Sequence, residues 1–468
     1  MSGTLRLTDG SRIAIIGGGP SGAFFAHFAH KHAEKKGIKL TITIFDGKDF
    51  LRSGPKGCNL CAGVIAESLN QRLRQEGIFL PEKRIINRVE GYSLHLGSDT
   101  LHLSCRHFEK NSIATVFRGN GPRYSTFPDI ISFDDFLLSW AQDKGTHVIT
   151  FPVWDIRLPD KQNEPLLIFY GKKDILQKFE ADLVVGAFGV NTYLMKKMRE
   201  LGFGYKPPST LITYQAELKM EKKTVEKLFG NMIHVFMPKS KNIRYATIIP
   251  KDDFVTITLI GKKNVTKNAL SEFLKIDEIR HTVPPIKPCC FCYPRIVVSP
   301  SKKPFSDRLV IIGDASFSRH YKNGLESAFL TAKLAAETAF FTGIDANSFF
   351  ENYYKRAKKL IINDNIYGRF LFALNGFISY VPLLTQIHFS LVKKKNGDAP
   401  SEKIRSILWY MFTGNISYKD IFKISLDLKL QISLLSHTIF FLVKRLKNLL
   451  KRIRSRSTDV NSTKSFKR

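Results

Sequence analysis

Residues 12–17, "RIAIIG", form a short apolar run that passes directly into Gly17-Gly18-Gly19-Pro20-Ser21-Gly22 and then into "AFFAHFAHKHA". The order predicts a buried strand, a glycine loop and a helix, the opening unit of a doubly wound α/β domain. Gly17 suits the tight turn, Gly19 lets the backbone approach a pyrophosphate, and Gly22 lets helix and strand pack closely. Pro20 and Ser21 lie at the helix start, where unpaired N–H groups and the positive dipole end face an anion. A second apolar run, "KLTITIFD", ends in Asp46, placed to accept hydrogen bonds from ribose hydroxyls. An isolated glycine turn would explain the first motif alone. Strand, glycines, helix, strand and acid in this order point to a bound dinucleotide.

Two distant segments extend the pattern. "ADLVVGAFGVNT" (181–192) reads as a strand closing on Gly186 and Gly189. "DRLVIIGDASFSRHYKNGLESAFLTAKLAAET" (307–338) reads as another, followed by Gly313-Asp314 and a long helix. These three stations, over about residues 10–340, resemble those of the FAD enzymes that include para-hydroxybenzoate hydroxylase and the geranylgeranyl reductases. The resemblance implies FAD as cofactor, with Asp314 on the ribityl chain and Asn323 and Gly324 beside the flavin ring. It also has departures. The second station reads Ala187-Phe188-Gly189 where the group has Ala-Asp-Gly, and Arg319, His320 and Tyr321 occupy a loop where it commonly has proline.

Within that group the geranylgeranyl reductases match furthest. Cys61-Ala62-Gly63 is similar to their Cys-Gly-Gly element at the flavin ring. "FDDFLL" (133–138) is similar to their Phe-Asp-x-x-Leu helix start, without the arginine just before it. "NIRYATIIP" (242–250) keeps Tyr245 and Pro250 of a substrate-lining P-x-x-Y-x-W-x-F-P. The resemblance implies an FAD-dependent oxidoreductase that hydrogenates carbon–carbon double bonds of an apolar prenyl-type substrate, with Cys61 and Tyr245 at the reaction centre and Gly63 against the flavin. A hydroxylase-type monooxygenase shares every nucleotide motif, and a membrane-associated flavin electron carrier is a third reading. No second G-x-G-x-x-G is visible, so electrons are expected from an external donor: NAD(P)H, ferredoxin or quinol.

The 468 residues are too many for one simple core. Residues 1–204 and 301–345 are read as the two parts of a Rossmann-type FAD-binding domain. Between them, 205–300 carry five alternating strand patterns that predict an inserted antiparallel sheet over an apolar cavity. From 346 to 456 the chain becomes helical, aromatic and basic, and 457–468 read as a disordered tail. Residues 370–392 are uncharged, but Asn375, Gly376, Pro382, Gln386 and His388 predict buried or interfacial helices there, not a continuous span.

Ile432, Leu435, Ile439, Leu442, Leu446, Leu449 and Ile453 recur three and four apart, with Lys444, Arg445, Lys447, Lys451, Arg452 and Arg454 crowding the adjacent faces. That pattern fits a helix on an anionic bilayer; a coiled-coil seam or a helix docked on its own body would share it. The chain carries 72 Lys+Arg against 41 Asp+Glu, a net charge of +31, which calls for an anionic partner. No nucleic-acid module accompanies the charge, so a membrane surface is expected and nucleic acid is not. Six cysteines, and an N-terminus without a signal-peptide core, predict a cytoplasmic protein, peripheral on the membrane.

Cys58 and Cys61 have metal-clip spacing, and Cys289, Cys290 and Cys292 stand together in "CCFC". The two sets could hold a metal, form a redox pair, or serve as structural and flavin-contact residues. The last reading, a backbone turn at the flavin with Cys61 its important sulfur, is the one adopted, with no metal. His320 is read as a surface-loop histidine or a proton donor.

Overall fold

The computed structural model describes residues 5–96, 99–105, 113–161, 164–238, 240–280, 282–320, 323–392 and 399–464. They group into two units, Met1–Ile366 with Thr413–Asn415, and Tyr367–Phe412 with Ile416–Arg468. Tyr321 lies outside the described residues.

The first unit is built on a six-stranded sheet in the order Phe305–Ser306, Leu309–Ile311, Leu183–Gly186, Arg12–Ile16, Thr41–Phe45, His147–Ile149. All neighbours are parallel except the first pair. Both faces of this sheet are covered, which is why its strands read as unbroken apolar runs. Ile13 and Ile15 face one core with the helices Pro20–Lys36 and Gly324–Phe341, where Phe24 and Phe28 each meet Phe329 edge-on at 5.3 Å. Ala14 and Ile16 face the other, under the hairpin strands of residues 153–181. Parallel strands put their carboxyl ends on one edge. The register Ile16↔Gly186 and Gly186↔Ile311 therefore brings the three glycine stations side by side.

A seven-stranded sheet follows the order Cys290–Cys292, Tyr214–Lys219, Phe254–Gly261, Ile243–Lys251, Met232–Phe236, Gly91–Leu96, Asp99–Ser104. Five strands come from 205–300 as expected. The last two come from a part assigned above to the nucleotide-binding domain, and Met232–Phe236 pairs with Gly91–Leu96 in parallel, so the sheet is mixed. The physical reason is that an edge with unpaired backbone groups recruits whatever strand the fold brings beside it. One face packs Ala216, Leu218, Ile248, Val255 and Ile257 into a core with Val225, Phe229 and Phe273 of two covering helices. Directly paired residues share a face, so the other face carries the rows Cys292–Gln215–Thr258–Thr247 and Cys290–Glu217–Thr256–Ile249. Lys251, paired with Phe254, lies on the same side.

The boundary between units falls after Ile366 and not at 345. Phe349, Tyr353, Ala357 and Ile361, four apart, bury one stripe in the main core, and Tyr353 Oη donates to Ile311 O at 2.8 Å. This aromatic, basic stretch thus belongs to the nucleotide-binding body.

The second unit is helical, with a small core of Leu371, Met411, Tyr418 and Ile421. Among the described residues no single helix is long and apolar enough to cross a membrane; the stretch around 370–392 breaks into two helices bent by 104° before Pro382. The last helix, Leu428–Lys464, continues through 457–464, where a disordered tail was expected. Extending an existing helix adds one hydrogen bond per residue ordered, which carries a polar segment along. Ile432, Leu435, Ile439, Leu442 and Leu446 are exposed on it. The side chains of Leu449, Lys451, Arg452, Ile453 and Arg454 lie outside those described.

Candidate functional site: a dinucleotide cradle beside a thiol-lined cavity

The loop after Ile16 is shaped by contacts that admit no side chain. A Cβ on Gly22 would lie 2.0 Å from Gly17 O, and one on Gly313, at φ +65°, would lie 2.2 Å from Ser21 Oγ. Pro20 opens the helix and Gly19 caps it without a side chain, so the approach to the helix N-terminus is bare backbone. Asp46 sits at the end of its strand as expected, half-buried, accepting from Gly18 N at 2.6 Å and Lys48 N at 2.8 Å. Burial pushes its carboxyl up, against the two backbone bonds that hold it down. It fastens the glycine loop as well as facing the ribose position. Gly189 has φ +65° with open space around it, so its turn conformation is what requires glycine there.

Asp314 is half-buried, its carboxyl pushed up by burial, and its Oδ1, sealed from solvent, has no hydrogen-bond partner. A Cβ on Gly324 would stand 3.4 Å from that oxygen, and Asn323 adopts φ +58° at the start of the same helix. Asp314, Asn323 and Gly324 are thus brought together. A buried carboxylate oxygen left unbonded by the protein calls for a donor from a ligand, and a polyol chain supplies one. The cradle and this orphan acceptor together fit a dinucleotide with a polyhydroxyl linker.

Beside the cradle, residues 54–63 make a tight turn. A Cβ on Gly63, at φ +69°, would lie 2.0 Å from Val116 O. Cys58 Sγ accepts from Leu60 N at 3.4 Å, and Cys61 Sγ from Gly63 N at 3.5 Å. Cys58 and Cys61 line a partly open cavity with Cys290 and Cys292, Phe117, Arg118, Gln215 and Glu217. Two segments more than 200 residues apart in sequence therefore put four thiols around one space. All six thiols are free, and among the described residues no three His, Cys, Asp or Glu side chains are arranged to hold a metal ion.

Behind Cys61 runs a buried polar chain. Arg118 grips both oxygens of Asp134 and also reaches the Cys61 side chain. Asp134 accepts Asn59 Nδ2 at 2.6 Å, and Asn59 Oδ1 accepts Lys48 Nζ at 3.0 Å. Asp134 opens the helix Phe133–Asp143, capped by Ser132. Asn59 links chain and cradle, since a Cβ on Gly19 would lie 2.9 Å from its Nδ2.

Glu217 and Lys251 complete the roof. Glu217 accepts Thr256 Oγ1 at 2.8 Å and Gln215 Nε2 at 3.4 Å. Lys251 is 1 % exposed, with Nζ 4.5 Å from the centre of the Phe117 ring. Burial raises the Glu217 carboxyl and lowers the Lys251 ammonium, and the attraction between the two charges opposes both shifts. Arg118, Asp134, Glu217 and Lys251 were not picked out from the sequence. A charge on the inward face of a strand otherwise apolar, as in "YQAELK" and "YATIIPK", was the available signal.

Tyr245 is not among the residues that line the cavity with Cys61. It lies six residues from Lys251, about 20 Å along the strand, outside the cavity wall. His320 is not on the surface: it is 7 % exposed, and its backbone N–H donates to Asn365 Oδ1 at 2.8 Å.

The chain matches no protein-family model and no curated protein. Solved structures do resemble it. The flavin-dependent brominase Bmp2 has a TM-score of 0.62 at 16% identity, over 87% of this chain and 94% of that one. A p-nitrophenol 4-monooxygenase from Pseudomonas putida DLL-E4 gives 0.57 at 12%, over 92% and 99%. A geranylgeranyl bacteriochlorophyll reductase-like protein from Thermoplasma acidophilum gives 0.56 at 15%, over 95% and 100%. At these identities the likeness is one of fold, and it embraces halogenation, hydroxylation and reduction.

Proposed function

We propose that this chain is an FAD-dependent oxidoreductase that saturates carbon–carbon double bonds in an apolar, prenyl-type substrate drawn from an anionic membrane surface. The observation that carries the cofactor assignment is the unbonded, buried Asp314 Oδ1 beside Asn323 and Gly324, at the edge where the glycine stations meet. The fold neighbours that use flavin support it. The reducing reading rests on the Cys61-Ala62-Gly63 element and on a partly open cavity walled by thiols and Phe117.

Bound flavin would supply a hydride equivalent; the protein's part is to bind, orient and exclude water. Gly17 to Gly22 and Asp46 would hold the nucleotide half, and Asp314 would accept from the ribityl hydroxyls. Gly63 lets the main chain approach a flat ring, and Arg118 holds the Cys61 side chain in place from behind.

Two assays separate the chemistries. Photoreduced protein, without oxygen, is expected to convert a geranylgeranyl lipid to products heavier by two hydrogens per double bond, read by mass spectrometry. Product carrying an oxygen atom, formed only in air, would establish the hydroxylase reading instead.

Membrane association follows from the last helix. Leu435, Ile439 and Leu446 are 62%, 54% and 58% exposed, with Lys444, Arg445 and Lys447 among them. An exposed apolar stripe among cations suits an anionic bilayer. Replacing these three with Gln is expected to move the protein from membrane pellet to supernatant. High salt should partly mimic this in the unaltered protein, because it screens the cations. Unchanged sedimentation of the triple variant would remove this helix from the account.

A further inference from the structure

We propose that Glu217 is the proton donor of the reaction, with Lys251 behind it to receive the charge it leaves. The inference rests on the reductive reading above, because saturating a double bond needs a proton on one carbon as well as a hydride on the other. Glu217 is an acid in the cavity wall, and its placement is built. Thr256 Oγ1 and Gln215 Nε2 bond its two oxygens, and Gln215 Nε2 also lies 3.3 Å from Cys61 O, tying the acid to the turn across the cavity.

The groups facing Glu217 come from every side. Lys251 lies on the neighbouring face row, Cys289 and Cys290 on the paired edge strand, and Cys58, Cys61 and Arg118 across the cavity. Arg118 is already bound to Asp134 on both oxygens. Lys251 has no ion pair with Glu217 within 4.0 Å among the described residues, only attraction through space. Burial with no contacting cation raises the Glu217 carboxyl, against the Lys251 charge and the bonds from Thr256 and Gln215 that hold it down. In the step, the π bond, the Glu217 O–H bond and the bond holding the hydride on the reduced flavin would break, two C–H bonds would form, and the flavin would be left oxidised by two electrons. One carbon takes the hydride, with its two electrons; the other takes the proton. The carboxylate left behind is steadied by the Lys251 ammonium until solvent returns a proton.

Glu217→Gln keeps shape and polar contacts while removing the proton. With a geranylgeranyl lipid as probe, anaerobic saturation at neutral pH should fall by about 10²-fold or more, the range for loss of a positioned acid, with flavin content unchanged. The pH profile carries the sign. A carboxyl raised by burial donates only while protonated, so the rate should fall as pH rises through its value. Glu217→Asp should keep this limb at reduced rate, and Lys251→Met, which removes the opposing cation, should move it to higher pH.

A second readout does not depend on turnover. Infrared spectra at neutral pH should contain a protonated-carboxyl stretch that disappears in Glu217→Gln. Retention of the rate within about threefold in that variant, or no band lost from its spectrum, overturns the proposal. If the unaltered protein saturates no lipid while the band is present and lost in the variant, the reductive reading fails and so does Glu217 as its donor. A lost rate with no band lost shows a structural role only, and counts against the proposal.

Discussion

Gly19→Val is expected to yield folded but colourless protein. The first atom a Cβ would meet at this position is Asn59 Nδ2, at 2.9 Å, the end of a side chain that can swing away. The fold should therefore tolerate the change, while two added methyl groups stand where a pyrophosphate must touch backbone. Gly22→Val makes the necessary contrast. Its Cβ would lie 2.0 Å from Gly17 O, a backbone atom with nowhere to go, so the product should fail to fold. Absorbance spectra with circular dichroism separate the two. A full flavin spectrum in Gly19→Val would mean that the loop is not the pyrophosphate site.

Arg118→Met should cost about 3–5 kcal/mol of stability, the usual result of stripping one partner from a buried ion pair. Asp134 is 0% exposed and would keep only Asn59 Nδ2 and its helix N-terminus as compensation. The loss should appear as a melting point lower by on the order of 10 °C. The double variant Arg118→Met/Asp134→Leu should recover part of the stability, since replacing both partners removes the orphan charge. Equal melting points for Arg118→Met and the unaltered protein would show that the pair is not formed.

The nucleotide-binding half of this molecule was legible because its chemistry is local. A strand, a glycine loop and a helix succeed one another within about thirty residues, and the same grammar returns at Gly186–Gly189 and Gly313–Asp314. Parallel pairing then leaves little freedom, since strands that share a direction must bring their carboxyl ends, and the glycines after them, to one edge. The Cys61 turn was legible only by its likeness to a Cys-Gly-Gly element, since the contact that demands Gly63 comes from Val116 O, far along the chain.

The cavity was not. Whether Glu217 and Lys251 point at ligand or at the helices depends on register, and a slip of one residue turns every side chain of a strand to the other face. The pairings Gln215↔Cys292 and Glu217↔Cys290 join positions some 75 residues apart, beyond any local periodicity. Tyr245 shows the cost of reading position without register: it was grouped with Cys61 by motif, and the strand seats it about 20 Å from Lys251, outside the cavity lining. Arg118 and Asp134 show the converse, a pair formed only because the loop leading from one strand runs over the start of a helix. The sequence by itself determined where a dinucleotide can lie, through contiguous backbone geometry. Tertiary structure alone decided which charges are sealed beside it, because burial and partnership are properties of strands and loops that meet only when the chain has folded.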